Sequence, residues 1–149
     1  MGEGKTIVMA VTGLPMQECN QYSQIRKLNI NLMKEGFKVI KRSGIKVAPV
    51  PGIPLSLMKT MTWIPLPISS FVFKSKIKSY GKLPVLGSTL QSIKRGKNTE
   101  IDYLNGEIVK LGKKNGIPTP VNSLIVELVH QTETTGKFMK VDELTKQLS

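Results

Sequence analysis

Cysteine and histidine are nearly missing from this chain: 149 residues contain one of each, Cys19 and His130. A lone cysteine closes no internal disulfide, so a reducing compartment is expected. A structural zinc site needs about four Cys or His ligands, so Cys/His metal chemistry is excluded. Aromatic residues make up only 5% of the chain, which leaves little for stacking single-stranded bases. Long apolar runs are missing too. Val47–Met58 and Thr60–Phe73 are uncharged, but Lys59 separates them and Pro49, Pro51, Pro54, Pro65 and Pro67 break them. A spanning helix needs about 20 apolar residues, so no membrane span is expected. The apolar run Ile7–Val11 is shorter than the roughly 7–15 residues of a signal-peptide core. A soluble cytoplasmic protein is the expectation.

Acidic residues are absent from one stretch only. None lies between Glu35 and Glu100, where twelve basic residues fall, while the rest of the chain holds ten of each sign. The whole net charge of +12 therefore sits in one block. Such a block can attract phosphate, nucleic acid or an anionic surface, and it equally describes a solvated basic face.

Alternating strand patterns are also lacking, and Ile7–Val11 is the single β-prone stretch. Helical spacing is what remains. From Ser23 to about Arg42, Ile25, Leu28, Leu32, Met33, Phe37 and Ile40 recur at three- and four-residue steps, and Ser43-Gly44 supplies a stop. Pro49 to Pro67 reads as a broken connection with a short helix around Leu55–Thr62. A weaker helix is expected at Ser88–Lys94. Asn98-Thr99 then opens a helix, with Asp102 nearly completing a capping box; Ile101, Leu104, Ile108 and Leu111 form its inner face, and Asn115-Gly116 ends it. Thr119 and Pro120 start a third helix, with Val121, Leu124, Ile125, Leu128 and Val129 on its apolar face. The tail from Lys140 adds a last one through Val141, Leu144 and Leu148. The expected fold is all-α, a multi-helix bundle in a single domain over residues 1–149, with a basic, Pro-interrupted segment at 47–82 and a tail at 132–149.

Local chemistry alone favours plain roles for the polar residues. Ser88 reads as a cap or surface hydroxyl. Glu100 reads as a first-turn carboxylate facing the positive end of a helix dipole, and His130 as a last-turn cation facing the negative end. Gly106, inside a helix, reads as a mark of close packing. Gly4-Lys5-Thr6 lacks the strand and the earlier glycine of a phosphate-binding loop.

Order along the chain adds a further reading. The run Ser88-Thr-Leu-Gln-Ser-Ile-Lys-Arg-Gly96-Lys-Asn-Thr99-Glu100-Ile-Asp102-Tyr-Leu-Asn105-Gly106, continued by Gly116-Ile-Pro118-Thr-Pro120-Val-Asn122, resembles the signature of ketopantoate reductases (2-dehydropantoate 2-reductases). Ala10-Val-Thr-Gly-Leu14, Leu32-Met-Lys-Glu35 and Gly44-Ile45 resemble the start of that family's C-terminal helical domain, of the 6-phosphogluconate dehydrogenase-like type. The resemblance covers about residues 7–131, with signature helices over 83–131. It implies reduction of a 2-keto acid such as ketopantoate, in pantothenate and CoA synthesis, with NADPH bound by a Rossmann domain. It also implies Glu100 as the active-site carboxylate and Ser88 as a substrate contact. No Rossmann unit is expected here, and the family's catalytic lysine lies ahead of this chain or where it carries Gly2–Thr6. The implied function is therefore the substrate-side domain of such a reductase, from a truncated or split gene or as a fragment, inactive without a Rossmann partner such as a separate Rossmann subunit, and a homo-oligomer. The alternative is a non-enzymatic helical binding or dimerisation module whose basic segment grips a polyanion, although nucleic acid is not the expected partner.

Overall fold

The computed structural model describes residues 3–46, 56, 60, 63–65, 67–68, 71 and 93–148, with side chains omitted at 3–7 and 16. Ser88, most of the 47–82 segment and most of the expected Ser88–Lys94 helix lie outside the described residues. Ser56 and Thr60 are helical, as expected for that stretch, and the Thr60 hydroxyl donates to the Ser56 carbonyl. Among the described residues six further helices are bounded: α1 (Glu3–Thr12), α2 (Met16–Cys19), α3 (Ser23–Ser43), α4 (Asn105–Lys114), α5 (Pro120–Thr135) and α6 (Val141–Gln147). Among the described residues there is no strand, and no helix is long and apolar enough to cross a membrane.

The β-prone run Ile7–Val11 lies inside helix α1. Val8, Met9, Ala10 and Val11 are all buried, so every side of the second half of this helix meets protein. A stretch of helix that is apolar all round belongs in a core, and burial there outweighs the weak helical preference of its β-branched residues. Around it, α3 and α5 supply Ile25, Leu28, Leu32, Ile125, Leu128 and Val129, and α6 closes one side with Val141 and Leu144. Burying each such side chain contributes roughly 1.5–3 kcal/mol.

Helix α3 ends as its sequence dictates. Gly44 adopts φ 70°, and its amide returns to the Lys41 carbonyl. Helix α5 differs from expectation at both ends. The Thr119 side chain makes no capping bond, and the helix runs on to Thr135, so His130 is not in its last turn. The expected tight glycine is also misplaced. A methyl group on Gly106 would make only ordinary contacts, whereas one on Gly112 would stand 2.8 Å from both the Ile117 carbonyl and the Thr119 methyl. Helix α4 packs on α3 and α5 through that glycine.

Candidate functional site

The helix expected from Thr99 begins six residues later, at Asn105. Residues 99–104 form a turn instead, because their polar groups are held by other partners. The Thr99 amide donates to Glu133 Oε1 on α5 at 2.6 Å, and Asp102 Oδ1 lies 2.9 Å from His130 Nε2. His130 Nδ1 in turn meets Glu133 Oε2 at 2.8 Å. Thr99 Oγ1 accepts only the Ile101 amide, at 3.3 Å, so the capping box never forms. Ile101 is fully buried and anchors the turn from beneath.

Glu100 stands between these attachments. Its side chain is exposed, and its carbonyl accepts the amides of Tyr103 and Leu104 at 3.0 and 3.2 Å. Because it precedes the helix, it is not the first-turn carboxylate the sequence suggested. Beside it Tyr103 is 80% exposed. The turn therefore presents a carboxylate and a phenol to solvent from a backbone fixed on both sides.

A second polar network sets the helices behind this turn, and sequence reasoning missed it. Glu35, on α3, accepts the Val121 amide on Oε1 and the Asn122 amide on Oε2, each at 2.9 Å. Its Oε2 also accepts the Asn122 side-chain amide at 2.7 Å. Asn122 Oδ1 then accepts Asn105 Nδ2 at 2.8 Å, and both asparagines are buried. A carboxylate on the first amides of a helix satisfies orphan donors and meets the positive dipole end. Glu35 thus caps α5 from a different helix and, through Asn122, fixes the start of α4. The signal lay in the Leu32-Met-Lys-Glu35 and Asn122 motifs, whose mutual contact spans 87 residues.

Titration follows from these contacts. Hydrogen bonds to the Asp102 and Glu133 carboxylates raise the His130 pKa above its usual value and outweigh desolvation, which lowers it. Burial pushes the Glu133 carboxyl up, but hydrogen bonds from Thr99 and His130 leave it net lowered. Burial also raises the Cys19 thiol, which argues against a nucleophile there. Among the described residues no group of His, Cys, Asp and Glu is arranged to hold a metal ion.

An all-helical bundle that offers one acidic turn is a scaffold for presenting side chains, and its fold is shared with dehydrogenases. A D-mandelate dehydrogenase, solved with NADH and anilino(oxo)acetate, is alike in fold at a TM-score of 0.66 and 24% identity, covering 92% of this chain and 66% of that one. A PanE/ApbA family ketopantoate reductase from Ralstonia eutropha matches at a TM-score of 0.59 and 25% identity, covering 88% and 40%. The family described as ketopantoate reductase PanE/ApbA, C terminal, matches residues 7–133, and the chain belongs to it. A 2-dehydropantoate 2-reductase of Pyrococcus horikoshii is 30% identical over 109 residues, 72% of this chain and 29% of that protein. Its counterpart in Aquifex aeolicus is 52% identical over 46 residues, 31% of this chain and 14% of that protein. The chain thus spans under a third of the length of either relative.

Proposed function

We propose that this chain is the substrate-side domain of a 2-dehydropantoate 2-reductase-like oxidoreductase, acting on a 2-keto acid such as ketopantoate. The observation that carries the reading is Glu100: an exposed carboxylate on an anchored turn, inside the family-matched segment. Reduction of a 2-keto acid adds hydride at its ketone carbon and a proton at the carbonyl oxygen. Glu100, acting as an acceptor, orients a substrate hydroxyl or the ammonium group that delivers that proton. Ser88 binds the polar end of the substrate.

NADPH, the family's expected hydride donor, does not fit the described residues. They include no strand, hence no strand-to-helix turn on which a dinucleotide pyrophosphate is seated. The amides that open α5 are already taken by Glu35. In this reading residues 1–149 form one helical domain, and a Rossmann unit, on the same polypeptide or on another, holds the cofactor in the cytoplasm. Docking to that unit or to a second copy would cover Tyr103, which is left exposed beside Glu100.

The test mixes the purified chain with the nucleotide-binding half of a related reductase and follows ketopantoate-dependent NADPH oxidation. Turnover in the mixture, absent from either half alone, is expected. No turnover, with both halves folded and the donor half active with its own partner domain, would overturn the reading in favour of a binding or dimerisation module.

A further inference from the structure

Glu100 is held in place by its neighbours, and one of them is a histidine. Both ring nitrogens of His130 lie within hydrogen-bond distance of a carboxylate oxygen: Nε2 at 2.9 Å from Asp102 and Nδ1 at 2.8 Å from Glu133. A carboxylate only accepts. Neutral imidazole carries one N–H, so one of its nitrogens would turn a lone pair toward an anionic oxygen. Only the imidazolium donates to both. Glu133 spends its other oxygen on the Thr99 amide, and Asp102 sits two residues beyond Glu100. The three side chains thus close a loop from α5 onto both flanks of Glu100.

From this geometry we infer that His130, in its protonated form, is a positioning residue that clamps the 99–102 turn onto α5 and sets the direction in which Glu100 is presented. The inference deepens the reading of Glu100 as the substrate-facing carboxylate and rests on it for its meaning. The clamp itself can be observed without turnover.

Among the described residues the charged groups around His130 are few. Asp102 faces it from the turn, which also carries Glu100 and the phenol of Tyr103, with Lys97 just ahead of it. Its own helix supplies Glu133 and, one turn earlier, Glu127. Helix α4 brings Lys110, which is engaged with Glu107 at 2.7 Å and feels Asp102 more weakly. Helix α1 brings no titratable side chain over Val8–Thr12, and Glu35 of α3 binds α5 at residue 121, about 13 Å away along the axis. The nearest partners are therefore both anionic.

The sign follows. A histidine whose folded pKa is raised contributes its stabilisation fully below its unfolded value, about 6.5, and loses it as pH climbs through the folded value. Glu133, with a lowered pKa, contributes above its ordinary carboxylate value and is lost in acid. The clamp is therefore closed in weakly acidic solution and loosens as pH rises through the raised folded value, which lies above 6.5. With His130 43% and Asp102 58% exposed, salt weakens it as well.

The experiment is a pH titration of this chain by NMR, reading the His130 ring protons and the backbone amides of residues 99–102. The Thr99 and Glu100 amides are expected to shift with the same midpoint as the ring, above about 6.5. In His130→Gln that shift should vanish while the amides of Val121 and Asn122 stay protected from exchange. In Asp102→Asn the ring midpoint should fall and the amide midpoint should fall with it. Amides that stay flat while the ring titrates, or that still titrate in His130→Gln, would overturn the clamp. Either result leaves the turnover test of the mixed halves unaffected, so the two readings fail separately.

Discussion

Glu35 and Glu133 both accept backbone amides from a segment far along the chain, one within the helix bundle and one at its edge. Glu35 binds two amides and the side chain of Asn122, which is 1% exposed and passes the order on to Asn105. Glu133 binds one amide and shares His130 with the exposed Asp102. Glu35 and Glu133 are both half-buried, but Asn122 is buried, so losing Glu35 strands buried donors, and each stranded group costs about 1–3 kcal/mol. At the edge, water replaces the lost partner, and exposed ion pairs contribute about 0–1 kcal/mol. The inner network therefore fixes which helices meet, while the outer one adjusts a single turn. The same functional group serves the fold in one place and the candidate site in the other.

Breaking the inner network should give the largest effect. Glu35→Ala removes the cap of α5 and leaves Asn122 without its acceptor, and a loss of about 3 kcal/mol is expected in chemical denaturation. Next comes the contact that lets α4 approach its neighbours. Gly112→Ala places a methyl group 2.8 Å from the Ile117 carbonyl, and overpacking of this kind should cost about 2 kcal/mol in the same measurement. The outer network responds less. Glu133→Gln keeps an acceptor for Thr99 but loses its charge, for about 1 kcal/mol and faster amide exchange at Thr99. Asp102→Asn should change stability by no more than about 0.5 kcal/mol, yet lower the His130 midpoint read by ring-proton NMR. If Asp102→Asn destabilised the fold as much as Glu35→Ala, the contrast between the two networks would be lost.

The sequence carried the parts of this architecture that depend on neighbours along the chain. Three-and-four spacing located α3, α5 and α6, and Gly44 and Gly116 end their helices with the positive φ expected of glycine. The family resemblance pointed to Glu100 as a candidate, and Glu35 and Asn122 were within its motifs. What escaped was set at long range. Ile7–Val11 reads as strand by residue type, but burial on all sides made it a helix. Thr99 and Asp102 read as a capping pair, but Glu133 and His130 claimed the amide and the carboxylate first. Gly112 looks like any helical glycine until Val39 and Ile117 are brought against it. Glu35 has no local feature that marks it as the cap of a helix 86 residues away. Ser88 lies outside the described residues, so its role stands on the resemblance alone.

The measurement that most directly tests the account is Glu100→Gln in the mixed-halves assay, paired with the unfolding midpoint of the same variant. An exposed carboxylate that faces substrate should lose most of the ketopantoate-dependent turnover, with the unfolding midpoint unchanged. Unchanged turnover in Glu100→Gln would contradict the account and move the chemistry away from the 99–102 turn.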